Sequence, residues 1–208
     1  MEWLRTHPGL FLGTVGDHLL LSLTGLAIGI AIALPVGIAV AHRPRLAGAA
    51  IMLAGALRTV PSLAVLAALL PLLGVGFTPS VIALALLALP PVLVNTVTGI
   101  RGADRAALDA ARGLGMTALQ RAMRVELPLA APLIFSGLRV AAVQVVSAAA
   151  LATFIGGGGL GDLVTQGLAL LDTGRMLVGA IAIALLALGT EAALGMLERH
   201  LAARVRGA

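Results

Sequence analysis

Apolar residues fill this chain in long blocks rather than in stripes or alternations. Five such blocks cover residues 17–41, 47–73, 80–100, 129–154 and 174–197. Each holds roughly 20 to 27 residues, enough at about 1.5 Å per residue to cross a hydrocarbon layer of about 30 Å. Each therefore predicts a membrane-spanning helix. Pro61 interrupts the second block, and a helix broken there would give two shorter pieces and a count of six. The predicted fold class is all-α: a polytopic membrane protein of five transmembrane helices, with six as the alternative, in one transmembrane domain over 1–208. The first block is longer than the apolar core of a secretory leader and no basic stretch precedes it, so no cleaved leader is expected.

The connections between blocks set an orientation. Arg43 and Arg45 lie in 42–46, Arg101, Arg105, Arg112, Arg121 and Arg124 in 101–128, and Arg199, Arg204 and Arg206 in the tail. Those ten arginines fall on one side, whereas Arg5 and Arg175 fall on the other. The excess of basic residues marks the cytoplasmic face. It puts the N-terminus outside and the C-terminus in the cytoplasm, which requires an odd number of spans and favours five.

Composition agrees with lipid as the main solvent. The chain is 60% hydrophobic and 11% charged, where a soluble domain has about 25% charged residues. Cysteine is absent, which excludes disulfides and thiolate metal sites. All 14 basic residues are arginine. Without a lysine the chain cannot form a Walker A phosphate loop, so any ATP hydrolysis belongs to another polypeptide. The net charge of +5 would suit nucleic acid, but one Trp, four Phe and no Tyr leave no stacking platform for bases. No nucleic-acid partner is expected. His7, His18, His42 and His200 lack metal-ligand spacing, and no serine sits in a nucleophile elbow. No catalytic residue, metal site or cofactor is predicted on this chain. Gly25 and Gly29 have the spacing that lets membrane helices approach closely, or they are apolar filler.

Residues 101–128 form the one long polar connection. Asp104 is placed to cap a helix over 105–112, and Gly113 to end it. Arg105, Asp109 and Arg112 share one face of that helix, and Ala107, Ala111 and Leu114 the other. Thr117 and Gln120 then spell a capping box, T-x-x-Q, for a second helix reaching about Arg124. Leu119, Ala122 and Met123 line one face of it, and Pro128 closes the insert. Two short amphipathic helices need a surface to cover: either anionic membrane lipid or the groove of a cytoplasmic protein.

The stretch "DAARGLGMTALQRAMRVELP", residues 109–128, resembles the EAA loop of importer-type ATP-binding-cassette permeases. That pattern is E-A-A, three residues, G, nine residues, I, one residue, L-P. Asp109, Ala110, Ala111, Gly115, Val125, Leu127 and Pro128 fall at its positions, with Asp109 for Glu and Val125 for Ile. The resemblance implies that this segment is the coupling helix gripped by an ATPase subunit, with Thr117, Leu119 and Met123 among its contacts. "RTVPSLAVLAALLPLLGVG" (58–76), "NTVTGI" (95–100), "AARGLGMT" (110–117) and "FIGGGGLGDLV" (154–164) extend the likeness over nearly the whole chain. They are similar to the osmoprotectant branch, which imports glycine betaine, choline or carnitine. What this implies is a small five-helix permease working as a pair with a second copy or a paralogue. Its other partners would be cytoplasmic ATPases carrying ATP and Mg, and an extracytoplasmic solute-binding protein.

Polar residues within the blocks are candidates for the solute pathway. Arg58, Thr59, Pro61 and Ser62 sit inside the second block. Irregular polar backbone at that depth is tolerated only against protein or a water-filled cavity. Arg58 therefore lines a pathway at the pair's interface or snorkels to headgroups. Asn95 and Gln144 suit a pathway that passes a cation without trapping it; they, Thr96 and Ser147 alternatively bond between helices. Arg139 lies inside the fourth block, with Glu191 as a candidate partner. "GGGGLG" at 156–161 matches a dinucleotide fingerprint in letters alone, because no strand precedes it. Gly157 and Gly158 are read as an outer gate or a docking edge, or as a plain helix stop. Trp3, Phe11, Phe77, Phe135 and Phe154 do not converge into an aromatic cage for quaternary ammonium, so solute selection is expected on the separate binding protein. Two other readings stay open: a permease for another small solute such as an amino acid, and a stand-alone channel or secondary carrier. Paired membrane acids for ion coupling, which the carrier would need, are missing.

Overall fold

The computed structural model describes residues 2–206, with side chains over 3–199. Met1, Gly207 and Ala208, and the side chains of His200, Arg204 and Arg206, lie outside the described residues. The described residues form helices and no strand. A short α1 (Glu2–Thr6) leads into α2 (Pro8–Ala41), followed by α3 (Pro44–Thr59), α4 (Ser62–Leu73) and α5 (Phe77–Arg101). The insert holds α6 (Arg105–Gly113) and α7 (Ala118–Arg121). One turn of π-helix, Ala122–Glu126, joins α7 to α8 (Leu127–Ala148), and a 3₁₀ stretch extends α8 to Ile155. Then come α9 (Leu160–Ala169) and α10 (Thr173–Arg206).

Four helices are long and apolar enough to cross a membrane, and the bent pair α3–α4 supplies a fifth crossing if the two count as one. The ends of the chain segments show that they do. At one end of the bundle His42, just after α2, meets Glu126 just before α8, and Ala41, Ile100 and Ala130 pack together. At the other end the Gly76 N–H donates to the Ile155 carbonyl at 2.7 Å. The chain therefore enters α3 at the insert end and leaves α4 at the far end, which is one crossing. The alternative of six spans fails, because pieces of 16 and 12 residues are each too short. Two further expectations change. The first helix begins at Pro8 rather than near residue 17, with a proline in the first turn where its missing N–H is harmless. The segment 155–174 is no plain loop but contains α9, whose Leu160 and Leu163 are buried against Val178 with Trp3, Phe11 and Val15 around them.

Helix α5 is the axis. Most of its inward residues, from Val81 through Leu84, Ala88 and Val92 to Val97, are buried. The glycines of α2 allow this: a Cβ on Gly25 would lie 2.7 Å from Leu84 Cβ, one on Gly29 2.5 Å from Ala88 Cβ, and one on Gly37 2.8 Å from Thr96 Cγ2. The Gly25 and Gly29 spacing is thus a packing groove, with Gly37 as its unforeseen third member. Gly137 of α8 meets α5 in the same way, its Cβ position 2.6 Å from Asn95 Cβ. In lipid, where hydrophobic burial does not drive association, such close backbone contact supplies the dispersion that holds helices together. Arg139 of α8 ties α10 to the bundle through Glu198 at 2.8 Å and the foreseen Glu191 at 3.4 Å.

The groove sets a test. Gly29→Leu should destabilise the protein by about 1–3 kcal/mol through overpacking, read as a lower unfolding midpoint in detergent. Gly48→Leu, where a Cβ meets nothing within 4 Å, should leave the midpoint unchanged. Equal midpoints for the two variants would discard the groove.

Candidate functional site

The insert is built by caps rather than by burial. The Asp104 carboxylate accepts from the Ala106 N–H at 2.9 Å and starts α6 as foreseen. The helix does not stop at Gly113 as expected: Gly113 is its last helical residue, and the turn is made by Gly115, whose φ of +73 is a left-handed conformation that glycine adopts freely. It lets the Met116 N–H turn back to the Ala111 carbonyl at 3.2 Å. The capping box forms: the Thr117 N–H donates to Gln120 Oε1 at 2.9 Å, and the Gln120 N–H to Thr117 Oγ1 at 3.3 Å. Beyond this point the structure departs from expectation. The second insert helix does not end near Arg124 and Pro128 does not break it. Residues 118–155 run as a single helix. Pro128 lacks an N–H and its ring would press on the Arg124 carbonyl. The π-turn relieves this by letting the Leu127 N–H reach the Ala122 carbonyl.

Glu126 anchors the insert, and the sequence did not single it out. It is 6% exposed. His42 Nε2 donates to its Oε2 at 2.6 Å, and Arg121 Nε lies 3.4 Å from its Oε1. A carboxylate on the π-turn thereby joins the end of α2 to α7. Ala111 is buried at 3% and Leu127 packs against the Ala41, Ile100 and Ala130 cluster. Between α6 and the helix ends lies a cavity of about 540 Å³ whose lining includes Arg101, Arg105, Asp109, Arg112 and Arg121. Asp109 pairs with Arg112 at 2.7 Å on the exposed side. Facing outward are Leu114, Leu119 and Met123, at 78%, 73% and 59% exposed. These three side chains form the apolar ridge of an otherwise polar insert. Ala110 and Pro128 shape the insert's backbone without belonging to the ridge.

A second polar place lies at mid-depth. The axes of α3 and α4 turn through 93° at their junction, where Val60 and Pro61 are extended. A cavity of about 250 Å³ opens there, lined by Arg58, Thr59, Pro61, Ser62 and Gln144, with Leu87 and Pro90 of α5 behind. Five of the six candidate pathway residues thus gather around one cavity. Asn95 is the exception: its amide donates to the Pro91 carbonyl at 2.8 Å and packs on Gly137. Thr96 is buried and bonded within its own helix to the Val92 carbonyl.

The glycine run closes the far end tightly. Gly157 is packed against Ser80 and lies 2.8 Å, at its Cβ position, from Ala152 Cβ; a Cβ on Gly159 would sit 3.1 Å from His18 Cα. Gly156, Gly158 and Gly159 have positive φ. Buried His18 donates through Nε2 to the Val146 carbonyl at 3.0 Å, and Thr153 donates to Asp162. This knot binds α2, α5, α8 and α9.

Five crossings with a capped polar insert between the third and fourth define the class: a membrane-embedded permease subunit. Residues 25–204 match the family described as binding-protein-dependent transport system inner membrane component, and the chain belongs to that family. It is 45% identical over 185 residues to the carnitine transport permease protein OpuCB of Listeria monocytogenes, covering 89% of this chain and 85% of that one. It is 40% identical to the glycine betaine/carnitine/choline transport system permease protein OpuCB of Bacillus subtilis, covering 96% and 92%. The fold is similar to a chain of the MetNI methionine ABC transporter in an inward-facing conformation, with TM-score 0.84 at 20% identity over 94% of this chain and 98% of that one. The resemblance read from residues 109–128 is borne out at the level of family.

Glu126→Ala should loosen the insert from the bundle. Amide hydrogen exchange across 104–121 is expected to quicken about tenfold or more, the factor that corresponds to about 1.4 kcal/mol of local stability. Exchange unchanged from the wild type would show that Glu126 does not anchor this segment.

Proposed function

We propose that the chain is the non-catalytic membrane subunit of an ATP-driven importer for a quaternary ammonium compatible solute such as glycine betaine, carnitine or choline. The observation that carries this reading is the exposed ridge of Leu114, Leu119 and Met123 on an insert fixed to the bundle through Glu126. A cytoplasmic ATPase, holding ATP and Mg, grips that ridge, with Asp109, Ala110, Ala111, Gly115 and Thr117 giving the insert its shape and Leu127 and Pro128 passing its motion to α8. The solutes for which these relatives are named, carnitine, glycine betaine and choline, support the choice of cargo. The whole chain acts as one permease unit, paired with a second copy or a paralogue and fed by an extracytoplasmic binding protein. In this reading the N-terminus lies outside and the insert in the cytoplasm, an orientation that the excess of arginines on the insert side supports. Binding of ATP closes the ATPases, the inserts follow, and the spans rock around the cavity at Arg58, Thr59, Pro61, Ser62 and Gln144.

The chain has no native cysteine, so Ala118→Cys gives a single thiol on the insert. It should cross-link to the ATPase subunit, and adding Leu119→Asp with Met123→Asp should abolish the cross-link and cut ATP-driven uptake by about tenfold or more, since an apolar contact is replaced by buried charge. Capture of lipid alone, with no ATPase, would refute the coupling role.

Gly157 and Gly158 are read as part of the outer gate. Alanine at both crowds Ser80 and strains a residue at φ +79. Uptake should fall while the Ala118→Cys cross-link persists; wild-type uptake in that double variant would count against the gate.

A further inference from the structure

We infer that the cavity at the break of the second span holds the carboxylate of the travelling solute, with Arg58 as its anchor. Among the proposed cargoes the permease then favours the zwitterions glycine betaine and carnitine over choline, which has no carboxylate for Arg58 to hold. This deepens the proposed function and rests on it. Arg58 occupies the last turn of α3 and lines a cavity of about 250 Å³, beside Leu87 and Pro90 in the middle of the 25-residue α5. Among the described residues no carboxylate lies within ion-pair distance of it. The other arginine at membrane depth, Arg139, has two, Glu191 and Glu198. Arg58 is exposed in the single chain; a guanidinium at that depth without a counter-ion is costly unless a water-filled path or a partner subunit meets it, and such residues mark substrate paths.

The rest of the lining points the same way. Ser62 and Gln144 offer further hydrogen-bond donors, whereas the Thr59 hydroxyl is committed to the Ala56 carbonyl at 2.7 Å. Ser62 is the first residue of α4, so that helix's unpaired N–H groups open at the break and favour negative charge. The lining contains neither an acid nor an aromatic ring, so nothing there would hold an ammonium group. Guanidinium binds carboxylate in a paired, planar geometry and repels a lone cation. The volume lies just below the roughly 300–1,000 Å³ of pockets for drug-sized ligands, which suits a compact solute.

The test uses the complete importer (permease, ATPase and binding protein) in liposomes, with ATP-driven uptake of carnitine and of choline at saturating concentration. Arg58→Gln should lower the carnitine-to-choline ratio by about tenfold, the factor that 1.4 kcal/mol represents. Arg58→Lys, which keeps the charge, should retain most of the wild-type ratio. An unchanged ratio in Arg58→Gln, or an equal fall for both solutes, overturns the inference. Where the binding protein delivers no choline, the maximal carnitine rate decides: a wild-type rate in Arg58→Gln overturns it, and loss rescued by Arg58→Lys supports it. A wild-type importer that carries neither these solutes nor glycine betaine instead refutes the cargo assignment, a result distinct from Arg58-independent transport.

Discussion

A hydrocarbon layer contains no water to satisfy a peptide group, and every feature of this chain answers to that. The crossings are helices because only helices pair their own backbone. The place where the second span breaks, Val60 and Pro61, is also the place where a polar cavity opens. A broken helix facing lipid would leave orphan groups unpaired. Facing Gln144, Ser62 and the flank of α5, it becomes a polar window in an apolar wall. The same shortage of driving force explains the glycines. Lipid tails are as apolar as leucine, so α2 and α8 hold α5 by bringing backbones close at Gly25, Gly29, Gly37 and Gly137.

The two polar places stand in different relations to the membrane. The insert lies outside the bundle, and local chemistry builds it: an Asp104 cap, a left-handed Gly115, and the Thr117 and Gln120 box. Among the described residues nothing covers its outward Leu114, Leu119 and Met123. The cavity at Arg58 depends on tertiary structure, since α3, α4, α5 and α8 all contribute. Helix α8 touches both polar places: its base carries the insert and its Gln144 lines the cavity.

What was legible in the sequence follows from range. Apolar blocks, the Asp104 and Thr117 caps and the spacing of residues 109–128 are local, and the structure contains them, although the first helix starts earlier, at Pro8, and the turn falls on Gly115 rather than Gly113. The gathering of Arg58, Thr59, Pro61 and Ser62 with Gln144 was foreseeable in part, because Pro61 and polar residues flag an irregular span. Asn95 carries the same polar signal, yet turns to the Pro91 carbonyl, since side-chain direction depends on the helix opposite. Glu126 escaped notice because its burial depends on His42, 84 residues away, and a lone acid before an apolar block reads as solvated. The far-end knot was hidden likewise: glycines suggest freedom, while Gly157 and Gly159 are small because Ser80 and His18 leave no room. Proline 128 misled in the opposite direction, since a widened turn absorbed it.

That widened turn has a mechanical consequence. It makes 118–155 one helix of 38 residues, a rod of about 57 Å at about 1.5 Å per residue. Each degree of tilt about its base then corresponds to about 1 Å at the opposite tip, so the rod's length magnifies any tilt from one side of the bundle to the other.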